Sequence, residues 1–193
     1  MSIKVAKYLS IILGPHVWLP VIFILMIFNS GLERQQLLII LPSVLILQVI
    51  VPILYLFFAP RIGWINHWDM GIREERKPFL IMMIILSFIS FSIIYFFGNS
   101  FLLNLNIIFI SLLFILLGIT KYWKISLHAS LNTSAAIIIN FLFDWKLPFL
   151  YFTIPIIFWA RLELKKHTPA QLVAGVIVTA IIILLGLRIF EYL

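Results

Sequence analysis

The residues best suited to chemistry sit in one polar interruption between two apolar runs, ARLELKKHTPAQLVAG at residues 160–175. It carries Arg161, Lys165, Lys166 and His167, with five residues between Arg161 and His167. Thr168 suits an N-cap, Pro169 suits the first helical position, and Gln171 completes a capping box with Thr168. His167 is therefore expected just before a helix N-terminus, where amide N–H groups and the helix dipole favour an anion. A guanidinium, two ammonium groups and an imidazole in that setting are the parts of a phosphate site. The competing reading is a basic interfacial loop that anchors helix ends and follows a topology rule.

The elements that must position these groups belong to a membrane. The chain has 193 residues, 64% of them hydrophobic and 11% charged, with mean hydropathy +1.18. Soluble domains of this size are far less apolar. The net charge of +7 falls in short loops, which points to anionic lipid or phosphate and away from nucleic acid. Without cysteine there is no disulfide, thiolate metal ligand or cysteine nucleophile. Lys4 and Lys7 precede an apolar run that lacks a small-residue cleavage pattern, so a retained first helix is expected rather than a signal peptide.

With about 20 apolar residues needed per crossing, the chain reads as an all-α, polytopic membrane helical bundle of about seven transmembrane helices in one domain, 1–193. The segments fall near 8–28, 37–59, 79–97, 101–120, 126–143, 147–164 and 169–190. The third and fourth come from the uncharged run 79–120, which as one helix would reach about 60 Å. Gly98-Asn99-Ser100 breaks it into a hairpin. Residues 60–78 form the longest polar stretch, with Trp64 and Trp68 as interfacial anchors and a charged run, Arg73 to Lys77, whose simplest reading is a solvated amphipathic turn with local ion pairs and whose dense charge beside a membrane leaves room for a site. Segments five and seven are rich in small and polar residues. Ala135, Ala136 and Gly175 are read as packing positions, and His16, beside Pro15, as a buried structural histidine.

Seven crossings put the N-terminus and the loops after segments two, four and six on one side. Those loops hold Arg73, Arg76 and Lys77, then Ser126 and His128, then Arg161 and His167. Three polar clusters far apart in sequence are thus expected on one face.

These clusters resemble the type 2 phosphatidic acid phosphatase superfamily, which includes lipid phosphatases and vanadium haloperoxidases. Its members carry a lysine, six residues, then arginine-proline; a serine-glycine-histidine; and an arginine, five residues, a histidine, three residues and an aspartate. The third motif here is Arg161, LELKK, His167, TPA, Gln171; the second is Ser126-Leu127-His128; the first is suggested by Arg76-Lys77-Pro78. The motif-bearing core covers about 64–186. The resemblance implies a multi-pass plasma-membrane phosphatase acting on a lipid phosphate, polyprenyl or glycerolipid, with no cofactor and no metal. It makes His167 the nucleophile that forms a phosphohistidine and His128 the acid and base at the leaving oxygen. Arg161 and the phosphate-binding set Arg76, Lys77, Ser126 and Arg73 would hold the nonbridging oxygens. Three positions depart from the pattern. Gln171 replaces the aspartate that orients the nucleophile, Leu127 replaces glycine, and the first-motif lysine has no counterpart, leaving Arg73 as its substitute. A member that binds or transports anionic lipid without hydrolysis is the alternative. The sequence names neither the lipid tail nor an oligomeric state.

Orientation sets two arguments against each other. Lys4, Lys7, Arg61, Arg73, Arg76, Lys77, Lys121, Lys124, Arg161, Lys165 and Lys166 fall on the site side, against Arg34, Lys146 and Arg188 on the other. Without the five site cations Arg76, Lys77, Arg161, Lys165 and Lys166, six remain against three. The positive-inside rule then turns the site to the cytoplasm, whereas the resemblance implies the opposite, since many bacterial members of that superfamily face the periplasm. In intact cells, a cysteine at Ser100 is expected to react with a membrane-impermeant maleimide and one at Ser2 to stay unlabelled. The opposite pattern places the site outside.

Overall fold

The computed structural model describes residues 2–193, whose regular elements are all helical with no strand among them. Five helical stretches are long and apolar enough to cross a membrane: Ser2–Phe28, Arg34–Phe58, Arg73–Phe97, Ser100–Tyr122 and Pro169–Ile189. Many large apolar side chains point outward, among them Phe96, Phe152, Ile177 and Ile189. In water this would be a defect; in lipid it is the expected outer surface. The chain divides into two compact units, one of residues 26–124 and one of residues 1–25 with 125–193.

The 26–124 unit holds α3 (Arg34–Leu45), a π-helical turn (Ile46–Ile50), α4 (Val51–Phe58), α5 (Arg73–Phe97) and α6 (Ser100–Tyr122). Helices α5 and α6 form the expected hairpin. Gly98 ends α5, and Asn99 caps α6 by accepting from Leu102 N–H at 3.1 Å. The π turn lies between Pro42 and Pro52 and turns Gln48 inward. There its amide donates to Ser90 Oγ at 2.9 Å and accepts from Ser87 Oγ at 3.2 Å, so a carboxamide buried at membrane depth is satisfied. The run from Arg73 to Lys77 departs from the expected solvated turn. It forms the first turns of α5, where Glu74 and Glu75 complement the positive end of the helix dipole.

The other unit holds α1 (Ser2–Ile12), α2 (Pro15–Phe28), α7 (Leu127–Leu142), a 3₁₀ turn (Pro148–Phe152), α8 (Thr153–Glu163) and α9 (Pro169–Ile189). The first apolar segment is two helices broken at Leu13-Gly14, because Pro15 has no N–H and instead opens α2. Helix α1 runs antiparallel to α8. Ser2 Oγ meets Glu163 Oε1 at 2.5 Å, and Ala6 packs with Ile157 and Ala160, all three fully buried. Helix α7 is buried at every position from His128 to Asn140 except Leu131. Asn140 closes the turn after it, donating to Leu147 C=O at 2.9 Å and accepting from Leu147 N–H at 3.0 Å.

Helices α7 and α9 lie side by side and run parallel. Ser126 N–H donates to Gln171 C=O at 3.2 Å, and four residues on in both helices Ser130 Oγ donates to Gly175 C=O at 3.3 Å. A Cβ at Gly175 would stand 2.8 Å from Ser126 O and 3.2 Å from Ala129 Cβ. Gly175 is therefore the point at which the two backbones touch, as small residues allow in lipid. Gly118 in α6 has nothing within 4 Å of the same atom. Gly175→Ala is expected to lower thermal stability in detergent by about 1–3 kcal/mol, the usual range for overpacking. Gly118→Ala should be neutral or stabilising, by up to about 1 kcal/mol. Equal effects in the two variants would rule out the close α7–α9 contact.

Candidate functional site

The loop between α8 and α9 has only a few residues, and both ends are tied. Helix α8 ends in a Schellman motif: Lys166 N–H donates to Arg161 C=O at 3.0 Å and Lys165 N–H to Leu162 C=O at 2.9 Å. Lys165 occupies the left-handed position with φ +52°, a place glycine usually takes. Helix α9 begins at once with its capping box. Thr168 Oγ1 accepts from Gln171 N–H at 3.4 Å, and Gln171 Oε1 accepts from Thr168 N–H at 3.3 Å. His167 is the single residue between the two motifs, so its backbone is held from both sides.

Gln171 does two jobs. The same Oε1 that accepts from Thr168 lies 3.0 Å from His167 Nδ1. A backbone N–H only donates, so the atom facing Thr168 is the amide oxygen rather than its nitrogen. Nδ1 must then carry the proton in this bond, and in the neutral ring the lone pair is on Nε2. Glutamine thus orients the imidazole without adding charge.

Arg161 is in the last turn of α8, where the helix dipole favours a cation. It is only 2% exposed, and its Nη1 donates to Ser10 Oγ of α1 at 2.8 Å. His128 is the second residue of α7, 6% exposed, and His167 is 8% exposed. Three residues with charged or titratable side chains are thus nine-tenths buried in one unit, near helix ends. Ser126 is the N-cap of α7, its Oγ accepting from Ala129 N–H at 3.3 Å. Its own N–H is taken by Gln171 C=O, so Ser126 is the strut between α7 and α9 as well as a cap. The strut brings together the starts of two parallel helices, one carrying His128 in its first turn and the other preceded by His167. Their aligned dipoles make a region suited to an anion.

The remaining sequence-derived residues lie in the 26–124 unit. Arg76 is buried in the first turns of α5 and donates through Nε to Met70 C=O at 2.9 Å. Arg73 is engaged by Glu74, at 2.6 Å, and by Tyr122 C=O, at 2.7 Å. Lys77 is half-buried beside them in sequence. Among the described residues no group of three or more His, Asp or Glu is placed to hold a metal ion.

Sequence reasoning missed Ser10 and gave Asn132 no role beyond packing. Asn132 Nδ2 donates to His128 C=O at 2.8 Å and to Leu13 C=O at 2.9 Å, while its Oδ1 accepts from Trp18 Nε1 at 3.0 Å. The available signal was a lone serine in an apolar segment and an asparagine four residues after a histidine. Neither indicates a partner more than a hundred residues away.

No family model matches the chain, and no curated protein or solved structure matches it.

The Gln171 geometry has a direct spectroscopic consequence. In protein with 15N-labelled histidine, neutral His167 is expected as the Nδ1–H tautomer. Gln171→Leu should remove that preference and, with the cap, about 1 kcal/mol of stability. Gln171→Glu should keep the tautomer. A wild-type His167 protonated at Nε2 would contradict the arrangement.

Proposed function

We propose that this chain is a multi-pass membrane phosphatase that hydrolyses a lipid phosphomonoester or diphosphate through a phosphohistidine on His167. The observation that carries the reading is the pair of parallel helix starts, α7 with His128 and α9 with His167, tied by the Ser126–Gln171 bond. Buried Arg161 in the same unit and the Nδ1 bond of His167 support it. In this reading α7, about 24 Å long, and the stretch from Pro148 to Glu163 also cross the bilayer, which makes seven crossings in a core like that of the type 2 phosphatidic acid phosphatases.

The chemistry follows from the groups. Nε2 of His167 attacks phosphorus as the bond to the leaving oxygen breaks, an alcohol oxygen in a monoester and a lipid-phosphate oxygen in a diphosphate, and His128 gives that oxygen its proton. Gln171 Oε1 stabilises the Nδ1–H of the phosphorylated, cationic ring. Arg161 and the positive ends of the α7 and α9 dipoles hold the nonbridging oxygens; one preorganised donor is worth about 10²–10³ in rate. His128 then takes a proton from water as its oxygen attacks phosphorus. The P–N bond breaks, its electron pair returns to Nε2, and orthophosphate leaves.

A second reading, binding or transport of anionic lipid without hydrolysis, draws on Gln171, which adds no charge beside His167, and on Arg73, whose guanidinium is engaged elsewhere. Purified protein should release orthophosphate from at least one of phosphatidate, phosphatidylglycerol phosphate and a polyprenyl diphosphate. His167→Ala should abolish turnover, and His128→Ala should lower it by about 10²–10⁴. Both variants should still insert and fold. Wild-type turnover in His167→Ala rules out the phosphohistidine, and lipid binding without release from any substrate selects the second reading.

A further inference from the structure

The N-terminal helices lie outside all three motifs, yet α1 reaches the most buried cation of the site. Ser87, Ser92, Ser111 and Ser134 turn their hydroxyls to the carbonyl four residues back in their own helix. That is the common way to satisfy a serine in lipid. The oxygen of Ser10 instead accepts a guanidinium N–H of Arg161, 151 residues away, and both side chains are buried. We propose that Ser10 is a positioning residue for Arg161, setting the plane of its guanidinium for the phosphate oxygens.

A guanidinium binds phosphate best as a planar fork, so its orientation matters as much as its charge. An arginine side chain has many rotamers, and freezing them at the moment of binding costs affinity. A bond of 2.8 Å from Nη1 to a buried hydroxyl narrows that freedom beforehand. Ser10 can do this because α1 is itself fixed at both ends. Near its start, Ser2 bonds Glu163 and Ala6 packs on Ile157 and Ala160 of α8. Just beyond its end, Leu13 C=O is freed by the break before Pro15 and accepts from Asn132. The other Asn132 bonds run to His128 C=O and from Trp18. The corner between α1 and α2 is thereby tied to the turn that carries His128 as well as to the helix that carries Arg161.

This inference rests on the phosphate-site reading of the same residues, and the test separates the two. The probe is equilibrium binding of orthophosphate and orthovanadate to purified full-length protein in detergent, with turnover on lipid phosphates measured beside it. Ser10→Ala should weaken anion binding by about tenfold, as expected for losing a hydrogen bond to a charged group. Ser10→Thr, which keeps the hydroxyl, should recover most of it. In an Arg161→Lys background, Ser10→Ala should change binding less than about twofold, because an ammonium keeps the charge but has no plane to orient. A role of Ser10 in helix packing alone predicts equal losses in both backgrounds. Additive losses, or a tight-binding Ser10→Ala protein, overturn the inference while leaving phosphatase activity standing. Coupled anion binding without turnover on any lipid phosphate overturns the hydrolytic reading and leaves the positioning role intact. A wild-type protein that binds neither anion overturns both.

Discussion

The contact on which the described site depends is the approach of α7 to α9 at Gly175. Parallel helices place their positive ends together, and half-charges about 8–10 Å apart repel by roughly 0.5 kcal/mol at a protein-like dielectric. That is a small cost beside the packing of a helix as buried as α7, and an anion at the shared end reverses its sign. What the packing requires is a residue without a side chain at the crossing, since Ser126 O lies only 2.8 Å from where a Cβ would stand. With the backbones this close, Ser126 N–H reaches Gln171 C=O and the two helix starts share one register. Leu127, which stands at the glycine position of the serine-glycine-histidine pattern that the sequence resembles, sits in the first position of a regular α7, following an extended Ser126 at φ −87°. No left-handed conformation is needed there, so the departure carries no backbone strain.

The short loop before α9 shows how local rules place the His167 side chain. The end of α8 and the beginning of α9 each use a standard capping motif, and the two meet with one residue between them. Lys165 takes a left-handed conformation that costs a non-glycine residue about 1–2 kcal/mol, held by the two Schellman bonds. Strain of this kind persists where the surroundings over-determine it. Gln171 joins the cap to the imidazole, so the device that starts the helix also selects the histidine tautomer. One amide oxygen serving both roles accounts for a glutamine at a position where an aspartate would serve orientation with charge.

The bilayer explains the polar chemistry elsewhere. Three buried carboxamides find partners inside the protein, where burial without them would be costly. Gln48 finds Ser87 and Ser90, Asn140 finds the backbone of Leu147, and Asn132 finds Leu13, His128 and Trp18. In two of these cases the need arises near a proline that removes a backbone donor. Pro52 follows the π turn that presents Gln48, and Pro15 follows the break that frees Leu13. Proline position and buried amide are therefore two halves of one local solution.

Composition and period were enough to read a helical membrane protein, and the breaks at Gly98-Asn99 and before Thr168-Pro169 were legible because caps and turns are local chemistry. The capping box of Thr168 and Gln171 was legible for the same reason, three residues apart on one turn. The sequence also brought His167, Arg161, His128 and Ser126 together as candidates, through spacing and resemblance. Its reading failed where two local tendencies competed. The charged run from Arg73 to Lys77 looked like a solvated turn, but acidic residues at a helix start are as favourable as they are in water, and α5 begins there. Only tertiary structure decided that Ser10 meets Arg161, that Asn132 ties a helix break to the His128 turn, and that α7 and α9 run parallel at contact distance. Those facts depend on which backbones approach in lipid, and a long-range approach leaves no mark in the spacing of neighbouring residues.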